Sequence, residues 1–303
     1  MISISSRASV FIAGIFLTVL TVFTASADEN KSGLMVPPGF EMVKAPVSDS
    51  NGWAAEIRHK LTGIEMVYVG PGEFIMGSPS SETSRQKDET PHKVKLTKGY
   101  YIGKYSVTQG QWEKIMGGNP SSFKDSGKDA PVEMVSWNDC QLLCKKIGYG
   151  FRLPTEAEWE FASRGGNMSK GFIYSGSDNL DEVGWYYENS GDRRLSDSSW
   201  NFQKLKSNNC RPHSVAQKKP NELGIYGMSG NVSEWCSDWY GDYPSELITD
   251  PSGALSGSTK VFRCGGWYNT AEYCRVARRT GAAPDYRGND IGFRLAMDIP
   301  SQK

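Results

Sequence analysis

The side chains in this sequence with the reach to do chemistry are six cysteines, three histidines and a short run of arginines. The thiols fall at Cys140, Cys144, Cys210, Cys236, Cys264 and Cys274. A thiolate attacks carbonyls and binds soft metals, whereas paired cysteines staple a fold. An even number in an exported chain predicts disulfides. No CxxC spacing is present. Cys140 and Cys144 stand at i and i+4 of a predicted helix. There they could form a soft metal face, pair with other elements, or remain as buried thiols. His59, His92 and His213 are scattered, which predicts surface or hydrogen-bonded residues and not a histidine-rich metal centre. Arg275, Arg278 and Arg279 cluster beside Cys274. They read either as structural ion pairs or as recognition of an anionic ligand or peptide carboxylate, whose two oxygens fit the guanidinium fork. Trp185, Trp200, Trp235, Trp239 and Trp267 either fill a core or line a cleft. No GxSxG elbow, HExxH helix or GxxxxGK[ST] loop occurs, and no carboxylate spacing marks a glycosidase pair.

These groups sit in a chain of 303 residues with 34 basic and 34 acidic side chains. The even balance argues against a nucleic-acid groove or a polybasic membrane surface, both of which need clustered cations. Arg7, an apolar run from Val10 to Phe23, and Ala25-Ser26-Ala27 have the form of a secretory signal with a small-x-small cleavage site. The run is shorter than the roughly 20 residues a spanning helix needs. The expectation is therefore a signal peptide over 1–27 and an exported mature protein, periplasmic or secreted, with no membrane insertion after cleavage. Residues 28–61, with Pro37-Pro38 and no sustained period, read as an irregular leader, and the domain proper as 62–298.

The positioning elements are short. Met66–Val69, the turn Gly70-Pro71-Gly72 and Phe74–Met76 read as a hairpin, and 93–96 and 100–105 as further strands. Three helices announce their starts. Thr108 precedes Gln111, Ser136 precedes Asp139 and Thr155 precedes Glu158, each pair at capping-box spacing. Gly165 suits a helix C-terminus. Beyond Gly166 the sequence predicts loops and short strands without helical period, and 191–212 has the character of an insertion.

The order of several blocks resembles the formylglycine-generating enzyme, or sulfatase-modifying factor, family. The blocks are Met66–Ser78, Tyr105-Ser106-Val107-Thr108, Val135–Asp139, Arg152–Glu160, Asn221–Trp235, Gly265-Gly266-Trp267 and Ile291-Gly292-Phe293-Arg294. The resemblance implies an α+β fold: a single C-type-lectin-like domain with little regular secondary structure. It also implies a possible activity. The founding enzymes oxidise a cysteine of sulfatases to formylglycine with oxygen and a copper(I) ion held by two thiolates, soft ligands that suit copper(I).

This sequence departs from that pattern. Trp267 stands where the family has Ser, and Thr270 stands at the first thiol position. Cys274 lies near the second thiol position and Cys264 is an additional thiol, so the two either form a disulfide or rebuild a two-thiol site. Other members keep the fold without the copper pair, as tailoring enzymes of siderophore maturation or as accessory proteins of kinases and secretion machines. One branch makes sulfoxides with an iron site on an added helical domain; with the domain read from residue 62 and only three scattered histidines, no such domain is expected here. The resemblance also implies structural calcium at Asn221 and Gly224, with Glu234 a nearby carboxylate, and half of a second calcium site at Asn189. The expectation is a divergent member that binds a peptide, protein or small-molecule ligand in a cleft, with Trp267, Thr270, Arg275 and Arg278 as ligand-binding residues. The alternative is a copper- and oxygen-dependent oxidase, formylglycine-generating or metabolite-tailoring, with Cys274 and Cys264 catalytic.

Overall fold

The computed structural model describes residues 28–29, 33–45, 52–196 and 200–300. The signal peptide read over 1–27 lies outside the described residues. The largest sheet runs in the order Phe40–Lys44, Glu56–His59, Glu65–Val69, Tyr100–Gly103, Ala296–Asp298 and Phe151–Arg152. All its neighbours are antiparallel. It ties the ends of the domain together, with Met297 opposite Tyr101. A second sheet orders Arg279–Ala282, Lys260–Arg263, Ser233–Trp239 and Ile291–Gly292, and its last pair is parallel. A third joins Ile248–Thr249, His92–Leu96 and Gly72–Met76.

Successive side chains of a strand point to opposite faces. In the large sheet, Met66 and Tyr101 enter one buried cluster with Trp53, Leu143, Trp235 and Phe293. Their neighbours Val67, Tyr100 and Ile102 enter another with Val94, Trp159 and Phe161. Both faces are therefore covered, which is why Met66-Val67-Tyr68-Val69 is apolar without a polar alternate.

The three helices form where their caps predict. Helix α1 is Gln109–Met116, α2 is Trp137–Ile147 and α3 is Glu156–Ser163. Each carries a complete capping box, from Thr108, Ser136 and Thr155. Gly165 takes the left-handed conformation at φ 91° after α3, as expected.

Three expectations change. The strands Glu65–Val69 and Gly72–Met76 exist but do not pair with each other. The first pairs with Glu56–His59 and Tyr100–Gly103, the second with His92–Leu96. The turn at Gly70-Pro71 hands the chain from one sheet to the next. Residues 28–61 are not an irregular leader in their later part. Phe40–Lys44 and Glu56–His59 are the outer strands of the large sheet, with a register shift between Met42 and Lys44 that hides the alternation. Trp53 and Ile57 are core residues. Finally, two short helices, Leu180–Val183 and Phe202–Ser207, lie in the region read as loops. Each begins at an asparagine cap, Asn179 and Asn201, and is too brief to show a helical period.

Candidate functional site

The site is built on buried ion pairs. Helix α3 supplies Glu156 and Glu160, and the neighbouring strand supplies Arg263. Its guanidinium reaches Glu156 at 2.6 Å and Glu160 at 2.6 Å. Arg279 closes on Glu156 through Nε at 2.9 Å and Nη2 at 2.7 Å. Burial alone would raise the Glu156 carboxyl; Arg279 and Arg263 more than offset it and hold it below the ordinary range. A second unit centres on Glu234. It accepts from Arg294 Nε at 2.6 Å, Trp159 Nε1 at 2.7 Å and Ser106 Oγ at 2.6 Å. All these charges are out of water, so losing one partner leaves the other stranded. The pairs fix α3 against the second sheet and hold the loops that follow its strands.

Those loops enclose a cleft of about 180 Å³. Its floor includes Gly265, and its walls include Tyr268, Tyr273, Tyr286, Arg278 and Asp290. Asn269 shapes the floor by accepting the Gly266 amide at 2.7 Å. Arg278 stacks on Tyr273, with its guanidinium carbon 4.8 Å from the ring centroid. Among the described residues Arg278 has no carboxylate partner. Asp290 is buried, which pushes its carboxyl up to about 6 even though the Tyr268 hydroxyl bonds to it. Arg263 also lines the cleft, and its Nε is buried without a partner. Trp200, more than half exposed, donates to the Tyr268 carbonyl at 3.1 Å, so the inserted segment reaches the rim. The cleft thus offers one unpaired guanidinium, one carboxyl of raised pKa and three tyrosine rings, a set that binds and orients a ligand.

The two thiols lie beneath this floor. A Cβ on Gly265 would stand 3.0 Å from Cys274 Sγ and 2.8 Å from the Tyr273 carbonyl oxygen. Cys264 is fully buried at the unusual φ of 90°, and its thiol donates to the Gly230 carbonyl at 3.1 Å. The disulfide expected between Cys264 and Cys274 is not formed; all six cysteines are free and buried. Burial pushes both thiols well up, helped by Glu234 at Cys264 and by Glu272 at Cys274. Two neighbouring sulfurs have the softness copper(I) prefers. Here, though, both are sealed from solvent and neither lines the cleft, so the donor set does not fit a two-thiolate centre open to substrate.

The other predicted residues divide. Arg278 is in the cleft. Arg275 is not: it is buried and holds Glu82 at 2.5 Å and Glu89 at 2.7 Å. Trp267 is not: its ring packs with Tyr187, Leu205 and Cys210, and its Nε1 donates to the Asn289 carbonyl at 3.0 Å. Thr270 precedes the short helical turn Ala271–Cys274 and lies outside the lining. Tyr268, Tyr273, Tyr286 and Asp290 went unread in the sequence. The usable signal was adjacency, since Tyr268 follows Gly265-Gly266-Trp267 and Asp290 precedes Ile291-Gly292.

The calcium ligands also have other employment. Asn221 Oδ1 accepts the amides of Leu223 and Ile225, both at 3.1 Å, and its Nδ2 donates to the Ala162 carbonyl at 2.8 Å. Gly224, at φ 84°, closes that turn on the Asn221 carbonyl. The cation facing Glu234 is Arg294. Asn189 accepts the Tyr186 amide at 2.8 Å, and the nearby acids Asp181 and Glu188 are bridged by Arg194 at 2.6 and 2.7 Å. Among the described residues no group of three or more His, Cys, Asp or Glu side chains is placed to hold a metal ion. Asn221, Gly224, Glu234 and Asn189 thus spend the polar atoms named above on protein partners. The histidines are hydrogen-bonded, as predicted: His59 to Thr62, His92 to Thr90 and His213 to Ser190.

Comparison with known proteins agrees with this architecture. Residues 30–299 match the family model of the sulfatase-modifying factor enzyme 1-like domain. The chaperone protein LppX of Paenibacillus barcinonensis is 38% identical over 233 residues, which is 65% of this chain and 79% of that one. The formylglycine-generating enzyme of Streptomyces coelicolor is 36% identical over 173 residues, 55% of this chain and 52% of the enzyme. Among solved structures, Treponema denticola variable protein 1 superposes with a TM-score of 0.65 at 30% identity, covering 78% of this chain and 95% of that one. PvdO from Pseudomonas aeruginosa does so at 0.61 and 25%, with the same coverage. With its sheets, its capped helices and its match across residues 30–299, the chain belongs to the sulfatase-modifying factor family.

Proposed function

We propose that this protein is a binding member of its family, which takes a carboxylate-bearing ligand or peptide segment into the tyrosine-lined cleft. The observation that carries the reading is Arg278. It is the one arginine of its cluster left without a carboxylate, and it faces a cavity beside rings that can stack on a ligand. The likeness to a protein named as a chaperone supports binding over oxidation. The sealed thiols, whose burial disfavours the thiolate, support it as well. The reading includes export, on the strength of the leader pattern in residues 1–27.

The second reading, a copper- and oxygen-dependent oxidase, keeps one observation in its favour. Cys264 and Cys274 are both free and adjoin the cleft floor. Family members named as formylglycine-generating enzymes point the same way.

Calorimetric titration with N-acetyltyrosine and its uncharged amide tests the binding reading. The carboxylate should bind at least about tenfold more tightly than the amide, and R278Q should erase that preference, since a charge-assisted hydrogen bond to Arg contributes about 1.5–3 kcal/mol. Equal affinities for acid and amide in the wild type would contradict it.

A further inference from the structure

A second cavity, of about 120 Å³, adjoins the same ion-pair network. Arg263 lines the cleft, whereas its partner Glu156 and Arg279 line this cavity. The remaining walls are largely apolar: Met76, Trp239, Ile248, Pro251 and the ring of Tyr243.

The inner charges are already matched. Arg279 gives Nε and Nη2 to Glu156 and Nη1 to the Gly241 carbonyl at 2.7 Å. Glu156 also receives Arg263 and the Tyr243 hydroxyl. Two polar groups are left over. Asp238 is 3% exposed; its Oδ2 accepts the Glu156 amide at 3.0 Å and Ser237 Oγ at 2.8 Å, while its Oδ1 has no hydrogen-bond donor among the described residues. His92 lies with Nδ1 3.0 Å from the Thr90 carbonyl. A carbonyl only accepts, so Nδ1 carries a proton, and in the neutral ring Nε2 is left as an acceptor. Asp242, an exposed acid with no ion-pair partner among the described residues, also lines the cavity. Lys260 is not part of it. Its ammonium lies 3.8 Å from the Trp239 ring centroid and 4.3 Å from that of Trp137, and donates to the Ser237 carbonyl.

The cavity therefore presents two acceptors, Asp238 Oδ1 and His92 Nε2, together with acidic side chains and aromatic walls. An ammonium is the complement: three donors, no acceptor and a positive charge that aromatic faces attract. The volume is slightly below the ~150 Å³ of an apolar cavity that holds benzene. We propose that this cavity is a binding site for a small primary aliphatic amine, bound as its ammonium with Asp238 as counter-ion and its hydrocarbon chain against Trp239 and Met76.

Burial, and then Glu156, pushes the Asp238 carboxyl up to about 7. The other charged or titratable groups around it are Glu158 on α3, Lys260 on the paired strand, and His92, Asp242 and Arg279 in the lining. Ammonium binding requires the carboxylate, so affinity should rise as the pH passes upward through about 7.

The test is calorimetric titration of the full chain with n-butylamine, n-butanol and butyrate at pH 6 and pH 8. Butylammonium should bind at least about tenfold more tightly than either control, and more tightly at pH 8. D238N, which keeps an acceptor for the Glu156 amide, should lose at least about tenfold. A254F, which adds bulk to the cavity lining while keeping the Asp238 carboxyl, should abolish binding. Butanol or butyrate binding as well as the amine, undiminished binding by D238N, or no butylamine binding to the folded wild type would each overturn the proposal.

Discussion

Arg275, Arg278 and Arg279 are chemically alike and nearly adjacent, yet among the described residues only Arg278 is left without a carboxylate partner. What separates them is the location of carboxylates far away in sequence. Glu82 and Glu89 capture Arg275, and Glu156 captures Arg279. No local pattern reveals such pairings, which is why the cluster was legible but its free member was not. The same holds for the cysteines, all six of which are free and buried, and for Glu234, whose cation is Arg294. Asp290 gives the residue-scale prediction. Its carboxyl is raised to about 6 by burial, and Tyr268, Arg278 and the buried Glu133 share its surroundings. Below that value it is neutral, and above it a negative charge opposes an incoming carboxylate. Binding of N-acetyltyrosine should therefore weaken as pH rises through about 6, and D290N should flatten the profile. A profile unchanged by D290N would remove Asp290 from the site.

At the scale of elements, local chemistry was easiest to read where it is self-contained. The capping boxes of α1, α2 and α3 need only residues three apart, and all three formed. Pairing partners needed more. Strand Gly72–Met76 looked like the return of a hairpin because the turn before it is tight, and only the position of His92–Leu96 shows otherwise. The floor of the cleft is an element of one residue. Gly265 is at φ 67°, with the Tyr273 backbone where a Cβ would go. Gly265→Ala should cost about 1–3 kcal/mol from the strained backbone alone, and should weaken cleft binding by displacing Tyr273. Thr155→Ala, which only removes a helix cap, should cost about 1 kcal/mol and leave cleft binding intact. Chemical denaturation with a parallel titration separates the two; equal binding losses would mean that Gly265 has no special place in the floor.

For the molecule as a whole, the block order made the family legible, because those blocks carry the residues that hold the sheets together. Arg152–Glu160 contains Glu156 and Glu160, Asn221–Trp235 contains Glu234, and the closing block contains Arg294. The outer strands were not legible, since Pro37-Pro38 and a register shift mask their period. They are nonetheless part of the domain. Removing residues 28–61 would uncover Met66 and Tyr101 and delete Phe40, Trp53 and Ile57 from the core. At about 1.5–3 kcal/mol per buried side chain, the thermal midpoint should fall by on the order of 10–20 °C. A truncated chain melting with the full one would restore the idea of a dispensable leader. In the binding reading this member keeps the family's fold without a working two-thiol copper centre. A copper(I) titration of the reduced protein against a competing chelator, with C274A alongside, tests this directly. Neither protein should take copper from the chelator; tight one-to-one binding by the wild type, lost in C274A, would overturn the reading.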